Sequence, residues 1–145
     1  MAVTEEEWLA IFSAIHDEDL GALEQITSPL NDYDNSGLTP LLLAIDGGSL
    51  AIVSLVLSKG ADANYLNRRV AYSALYTAVE ARRLDIVGVL LEAGADPDLS
   101  FPGLSSAREL AESFNLRDYL ELFDSSGAKN EPKGPGGLGP NLGEL

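Results

Sequence analysis

The segments KGADAN (residues 59–64) and AGADPD (residues 93–98) carry the same Gly-Ala-Asp triplet, 34 positions apart. Each triplet closes an aliphatic run, AIVSLVLS (residues 51–58) before the first and DIVGVLLE (residues 85–92) before the second. Because the flanking pattern recurs with the triplet, the two segments are the ends of two copies of one repeated unit.

The two copies share a single register along their whole length. They span residues 36–68 and 70–103, and matching positions stay 34 apart. The clearest matched pairs are Leu41 with Leu75, Ala44 with Ala78, Ile52 with Ile86, and Gly60 with Gly94. A constant offset predicts that both copies fold into the same supersecondary unit.

Each copy has the pattern of a helix, a turn, a second helix and a loop. Thr39 can cap a helix that begins at Pro40, and Gly60 can end the second helix in a left-handed conformation. Gly48 ends the first helix of one copy, but its counterpart in the next copy is Arg82. If the backbone is left-handed there, the arginine side chain costs about 1 kcal/mol.

The sequence resembles the ankyrin repeat family, whose unit is a turn plus two helices. The resemblance rests on GLTPLLLA (residues 37–44), IVSLVLSKGADAN (residues 52–64) and IVGVLLEAGADPD (residues 86–98). Two weaker copies lie at residues 11–26 and 105–123. The resemblance implies an all-α, helix-turn-helix solenoid of about four repeats. The family's usual histidine after Thr-Pro-Leu is replaced by leucine in one copy and by tyrosine in the next.

We therefore expect an ankyrin repeat domain over residues 1–124, with repeats at about 5–35, 36–69, 70–103 and 104–124. Both ends have capping-box spacings, Thr4 with Glu7 and Ser106 with Glu109. Arg108 replaces the leucine that the resemblance implies, as expected of a terminal repeat whose outer face meets water. Residues 125–145 are rich in glycine and proline, which predicts a flexible C-terminal tail.

The composition excludes several classes of function. The net charge is −14, with 23 acidic and 9 basic residues, which argues against nucleic acid or an anionic membrane as a partner. The chain has no cysteine and one histidine, so thiolate chemistry and histidine-rich metal sites are excluded. No signal-peptide or membrane-span pattern is present, and we expect a cytoplasmic protein without catalytic residues, cofactor or metal.

The resemblance implies that partners bind at the loop tips and on the face formed by the first helix of each repeat. At the tips and on this face, the candidate partner-binding residues are Tyr33, Asn35, Ser36, Leu38, Asp46, Tyr65, Asn67, Arg68, Arg69, Tyr72, Glu80, Arg82 and Arg83. Tyrosine and arginine are the residue types that most often anchor interfaces. The resemblance also makes Asn64 a possible hydroxylation site in an animal host. A monomer is favoured, although the sequence does not fix the oligomeric state.

Two alternatives stay open beside the protein-binding interpretation. Residues 1–35 hold nine acidic residues and no lysine or arginine, which is the charge expected of an acidic inhibitor or immunity protein that blocks a basic enzyme. The second alternative, an enzyme or a small-ligand-binding protein, would need a deep pocket with perturbed titratable groups.

Overall fold

The computed structural model describes residues 4–27, 30, 38–66 and 72–130. Within these ranges the chain is all-α, with eight helices and no strand. The helices are α1 (Glu5–His16), α2 (Leu20–Gln25), α3 (Pro40–Gly47), α4 (Leu50–Ser58), α5 (Ala74–Glu80), α6 (Leu84–Glu92), α7 (Ala107–Ser113) and α8 (Arg117–Asn130).

The helices pack as four antiparallel pairs that stack in two layers. Each odd-numbered helix packs against the next helix in the chain. Along the stack, α1, α3, α5 and α7 form one layer, and α2, α4, α6 and α8 form the other. We call these the first-helix layer and the second-helix layer. The predicted solenoid of four repeats is confirmed.

A hydroxyl group caps the start of every helix in the first-helix layer. The capping residues are Thr4, Thr39, Ser73 and Ser106, and each side chain accepts a hydrogen bond from a backbone amide three residues on. At both ends of the stack the capping box is complete. Thr39, Ser73 and Ser106 are at most 4% exposed, so their hydroxyl groups satisfy amides that water does not reach.

The short turn inside each pair depends on one residue with a left-handed backbone. These residues are Glu18 (φ 54°), Gly48 (φ 79°), Arg82 (φ 59°) and Asn115 (φ 56°). A buried alanine lies four residues before each of them, at positions 14, 44, 78 and 111. The small side chains let the two helices of a pair approach closely. Arg82 therefore has the left-handed backbone that costs a non-glycine residue about 1 kcal/mol.

Glycine ends the second helix in both strong repeats, as predicted. Gly60 has φ 99° and Gly94 has φ 95°, values that a side chain would strain. The chain then turns back, and the alanine three residues after Gly60 is buried. The repeated Gly-Ala-Asp triplet is therefore the exit from each second helix.

The core is continuous through all four pairs and is made mostly of aliphatic side chains. Ile11 and Val56 are fully buried, and each lies at helical spacing from other apolar residues of its helix. Leu57, which the same spacing places in the core beside Val56, is only partly buried against it. A helix in a two-layer stack faces the core with a narrow stripe, and Leu57 lies at the edge of that stripe.

The last repeat is closed by Arg108, which lies where the internal repeats have a leucine. Its guanidinium donates to Asp98 at 2.8 Å and to Asp124 at 3.0 Å. Burial lowers the pKa of Arg108, but its hydrogen bonds to the two carboxylates outweigh this effect, and the net shift of the pKa is upward. The arginine thus links the loop of the third repeat to α8, and polar capping of the last repeat is what the sequence predicted.

The last helix extends into the segment expected to form the C-terminal tail. Helix α8 continues to Asn130, six residues beyond the domain end expected at residue 124. Low helix propensity alone did not stop it, since Gly127 lies inside the helix and the first proline beyond residue 124 is Pro132. The remaining residues of the predicted tail, 131–145, lie outside the described residues.

Candidate protein-binding surface

Two stacked tyrosines mark the loop tip between the second and third repeats. The rings of Tyr72 and Tyr76 lie 4.2 Å apart at an angle of 20°. Both side chains are half-buried. Burial raises the pKa of Tyr76, and Tyr72 and Glu80 raise it further. The pair is a rigid aromatic surface with polar hydroxyl groups, a combination suited to a protein interface.

The rest of the predicted tip cluster is only partly described. Tyr65 is half-buried on the other side of this loop. Asn67, Arg68 and Arg69 lie outside the described residues, as do Tyr33, Asn35 and Ser36 of the preceding tip. Leu38 is half-buried and packs against the core, so part of its surface has a structural role.

Two of the predicted residues, Asp46 and Glu80, lie at matching positions near the ends of α3 and α5. Both side chains are exposed on the first-helix layer. His16 holds the corresponding position at the end of α1 and is also exposed. The edge of the first-helix layer therefore carries one ionisable group in each of the first three repeats.

The two arginines of the third repeat contact the repeats on either side of them. Arg83 donates through Nη1 to the carbonyl of Gly48 at 2.6 Å, which joins the third repeat to the second. The guanidinium of Arg82 lies 4.9 Å from the ring centroid of Phe114. This cation–π contact joins the third repeat to the fourth repeat. Arg83 also pairs with Asp85 at 2.9 Å, and this hydrogen bond lowers the pKa of Asp85. Both predicted binding residues thus have structural contacts as well.

Asn64, the possible modification site, bridges the loops of two neighbouring repeats. Its Nδ2 donates to the carbonyl of Gly94 at 2.9 Å, and its Oδ1 accepts from the amide of Asp96 at 2.7 Å. The side chain is nevertheless exposed. The next repeat has Asp98 at this position, and it contacts Arg108 instead.

A cleft of about 230 Å³ lies between the first two repeats, at the end where the short turns are. Its floor is apolar and includes Ile15 and Ile52, whereas Glu18, Asp46 and Ser49 contribute polar groups. Of these only Asp46 was singled out from the sequence. One signal in the sequence could have pointed to the cleft. Ser49 aligns with Arg83, so the short side chain of serine stands in the second repeat where the third repeat has the long side chain of arginine.

Two kinds of feature are missing from the described part of the chain. It has no cluster of three or more histidine, cysteine or acidic side chains that could hold a metal ion. Over the same ranges, no helix is both long and apolar enough to cross a lipid bilayer.

Four stacked helix pairs, each with a left-handed residue in its short turn, define a helical repeat protein of the solenoid class. The sequence profile of the family described as "Ankyrin repeats (3 copies)" matches residues 9–100. The chain therefore belongs to the ankyrin repeat family. Domains of this family are generally protein–protein interaction modules and typically not catalytic.

Curated relatives match this chain over parts of much longer proteins. The mouse 2-5A-dependent ribonuclease is 44% identical over 57 residues, which is 39% of this chain and 8% of that protein. The human BCL-6 corepressor-like protein 1 is 30% identical over 116 residues, 78% of this chain and 6% of that protein. The zebrafish (Danio rerio) ankyrin repeat and SAM domain-containing protein 6 is 34% identical over 85 residues, 59% of this chain and 12% of that protein. The chain thus spans a small fraction of each relative.

Proposed function

We propose that this chain is a non-catalytic module that binds a protein partner through its loop tips and its first-helix layer. The observation that supports this most directly is the Tyr72–Tyr76 stack, whose rings are 4.2 Å apart and half-buried at a loop tip. Large aromatic side chains that are already held in place lose little conformational entropy on binding, which favours them as anchors.

The exposed carboxylates of Asp46 and Glu80 extend this surface along the first-helix layer. The chain has a net charge of −14, so a partner with a basic surface would meet complementary charge. The cleft of about 230 Å³ is smaller than the roughly 300–1,000 Å³ of most small-ligand sites. That size supports protein binding over the enzyme or small-ligand alternative.

Affinity capture from the native host, read out by mass spectrometry, tests the proposal. The bait is compared with a variant carrying Arg69→Ala and Tyr72→Ala, which should retain the fold and lose more than about 1 kcal/mol of binding free energy for a specific partner. The matched control is Leu84→Ala with Arg117→Ala, which removes one large apolar and one arginine side chain that are exposed on the second-helix layer. Equal capture by both variants would contradict a binding role for this tip.

The acidic-inhibitor alternative is favoured by the charge of the first repeat. Residues 4–27 contain seven acidic side chains and no lysine or arginine. If these charges attract a basic enzyme, the affinity should fall steeply as salt rises, because screening weakens long-range attraction. An affinity that is constant from low to high salt would exclude this mode.

Three further expectations remain proposals. Hydroxylation of Asn64 is supported by its exposed side chain, and mass spectrometry of chain isolated from an animal host would show one added oxygen. A monomer would show the mass of a single chain by light scattering, whereas contacts between the tip arginines and the acidic end of a second copy would show twice that mass. A cytoplasmic location is tested by cell fractionation.

A further inference from the structure

The cleft between the first and second repeats corresponds to a place that is filled between the second and third. In the filled place, Arg83 spans the boundary between repeats and its Nη1 lies 2.6 Å from the carbonyl oxygen of Gly48. Ser49 holds the Arg83 position one repeat earlier, and Glu18 holds the Gly48 position. Because serine is short, it does not reach across the boundary, and its hydroxyl instead caps α4 by accepting from the amide of Ile52.

The charges around the cleft are those that a cation would need. Glu18 and Asp46 line it, and both are exposed. The basic side chain that lines it is His16, at the end of α1. Over residues 4–27 no lysine or arginine is available to neutralise these carboxylates from the first repeat.

The geometry also sets where a guanidinium would lie. A Cβ built on Gly48 would be 2.8 Å from Nη1 of Arg83, so the filled site depends on glycine. Glu18 has the Cβ that Gly48 lacks, so a guanidinium in the cleft would lie further from the backbone than that of Arg83 does. The apolar floor, with Ile15 and Ile52, suits the methylene stem of an arginine.

We propose that this cleft binds an arginine side chain of a protein partner, in the place that Arg83 fills one repeat later. The proposal rests on the proposed function as a protein-binding module, but it uses a different surface from the tyrosine tip. A planar, permanently charged guanidinium can pair with two carboxylates at once, which a lysine ammonium does less well.

The test uses N-acetyl-arginine methylamide as the probe and NMR spectra of the ¹⁵N-labelled full chain at constant ionic strength. Saturable shifts are expected at the amides of Glu18, Gly47 and Ser49. The neutral isostere N-acetyl-citrulline methylamide should bind about fivefold more weakly, and Asp46→Asn should weaken the arginine probe about threefold.

Two variants at Ser49 separate occupancy of the cleft from loss of the helix cap. Ser49→Arg supplies the chain's own guanidinium and should abolish the saturable shifts. Ser49→Ala loses the same capping hydroxyl but leaves the cleft open, so it should bind the probe as the parent does. Shifts that do not saturate, equal binding of arginine and citrulline probes, or equal binding by Ser49→Arg would each overturn the proposal.

This test can fail independently of the proposed function. If a partner is captured in a Tyr72-dependent manner but the probe does not bind, the arginine site is wrong and the protein-binding function stands. If the probe binds and no captured partner requires Tyr72 for binding, the arginine site in the cleft stands and the tyrosine tip is not the binding surface.

Discussion

Replacing Gly48 with alanine should destabilise the protein for two separable reasons. Gly48 has φ 79°, and an L-residue in the left-handed region costs about 1–2 kcal/mol. The new Cβ would also lie 2.8 Å from Nη1 of Arg83, so the guanidinium must move away from the Gly48 carbonyl. The expected loss is therefore at least about 1–2 kcal/mol of unfolding free energy, or roughly 3–8 °C in melting temperature.

Urea denaturation followed by circular dichroism measures this loss. Gly88→Ala is the matched control, because Gly88 lies inside α6 with nothing within 4 Å of an added Cβ. Alanine there should be neutral or stabilising by about 0.5–1 kcal/mol. In an Arg83→Ala background, Gly48→Ala should cost less than in the parent, since only the backbone strain remains. A Gly48→Ala protein as stable as the parent would refute both the strain and the contact.

Four other substitutions test the packing and the polar contacts of the repeats. Leu91→Ala should destabilise by about 2–5 kcal/mol, and Leu57→Ala by less because it is partly exposed, as measured by urea denaturation. Asn64→Ala should lower the free energy of unfolding by about 1 kcal/mol. It should also speed hydrogen exchange at the backbone amide of Asp96, which donates to Asn64 in the parent. The hydrogen bond with Arg83 lowers the pKa of Asp85 in the folded protein. The contribution of Asp85 to folding stability is therefore present above its pKa in the unfolded chain, and it is lost as pH falls through its pKa in the folded protein. The difference in melting temperature between parent and Asp85→Asn should therefore shrink on acidification, and a difference that does not change with pH would contradict this.

The local structure could be predicted from the sequence because its causes lie within a few residues. Thr39 caps an amide three residues away, and Gly60 turns the chain at its own position. The repeat register placed Arg82 at the turn position of Gly48, although only the structure shows that its backbone is left-handed. The number of repeats follows from the same local signals.

Contacts between repeats could not be predicted, because they depend on side-chain conformations about 35 residues apart. The alignment places Arg83 opposite Ser49, but only the structure shows that Arg83 reaches Gly48. Likewise, Tyr72 was predicted as a surface anchor, whereas its stacking on Tyr76 depends on the loop geometry. These contacts decide which side chains of the candidate site remain available to a partner.

The buried hydroxyl caps of the second, third and fourth repeats have a consequence for covalent modification. Thr39, Ser73 and Ser106 are at most 4% exposed, and each hydroxyl is bonded to an amide of its own helix. A protein kinase could phosphorylate them only when the repeat opens. The added phosphate, with about two negative charges, could not return to a buried site without a large desolvation penalty. Phosphorylation at any of these three residues would therefore show that the repeat had opened, and it would disfavour refolding of that repeat.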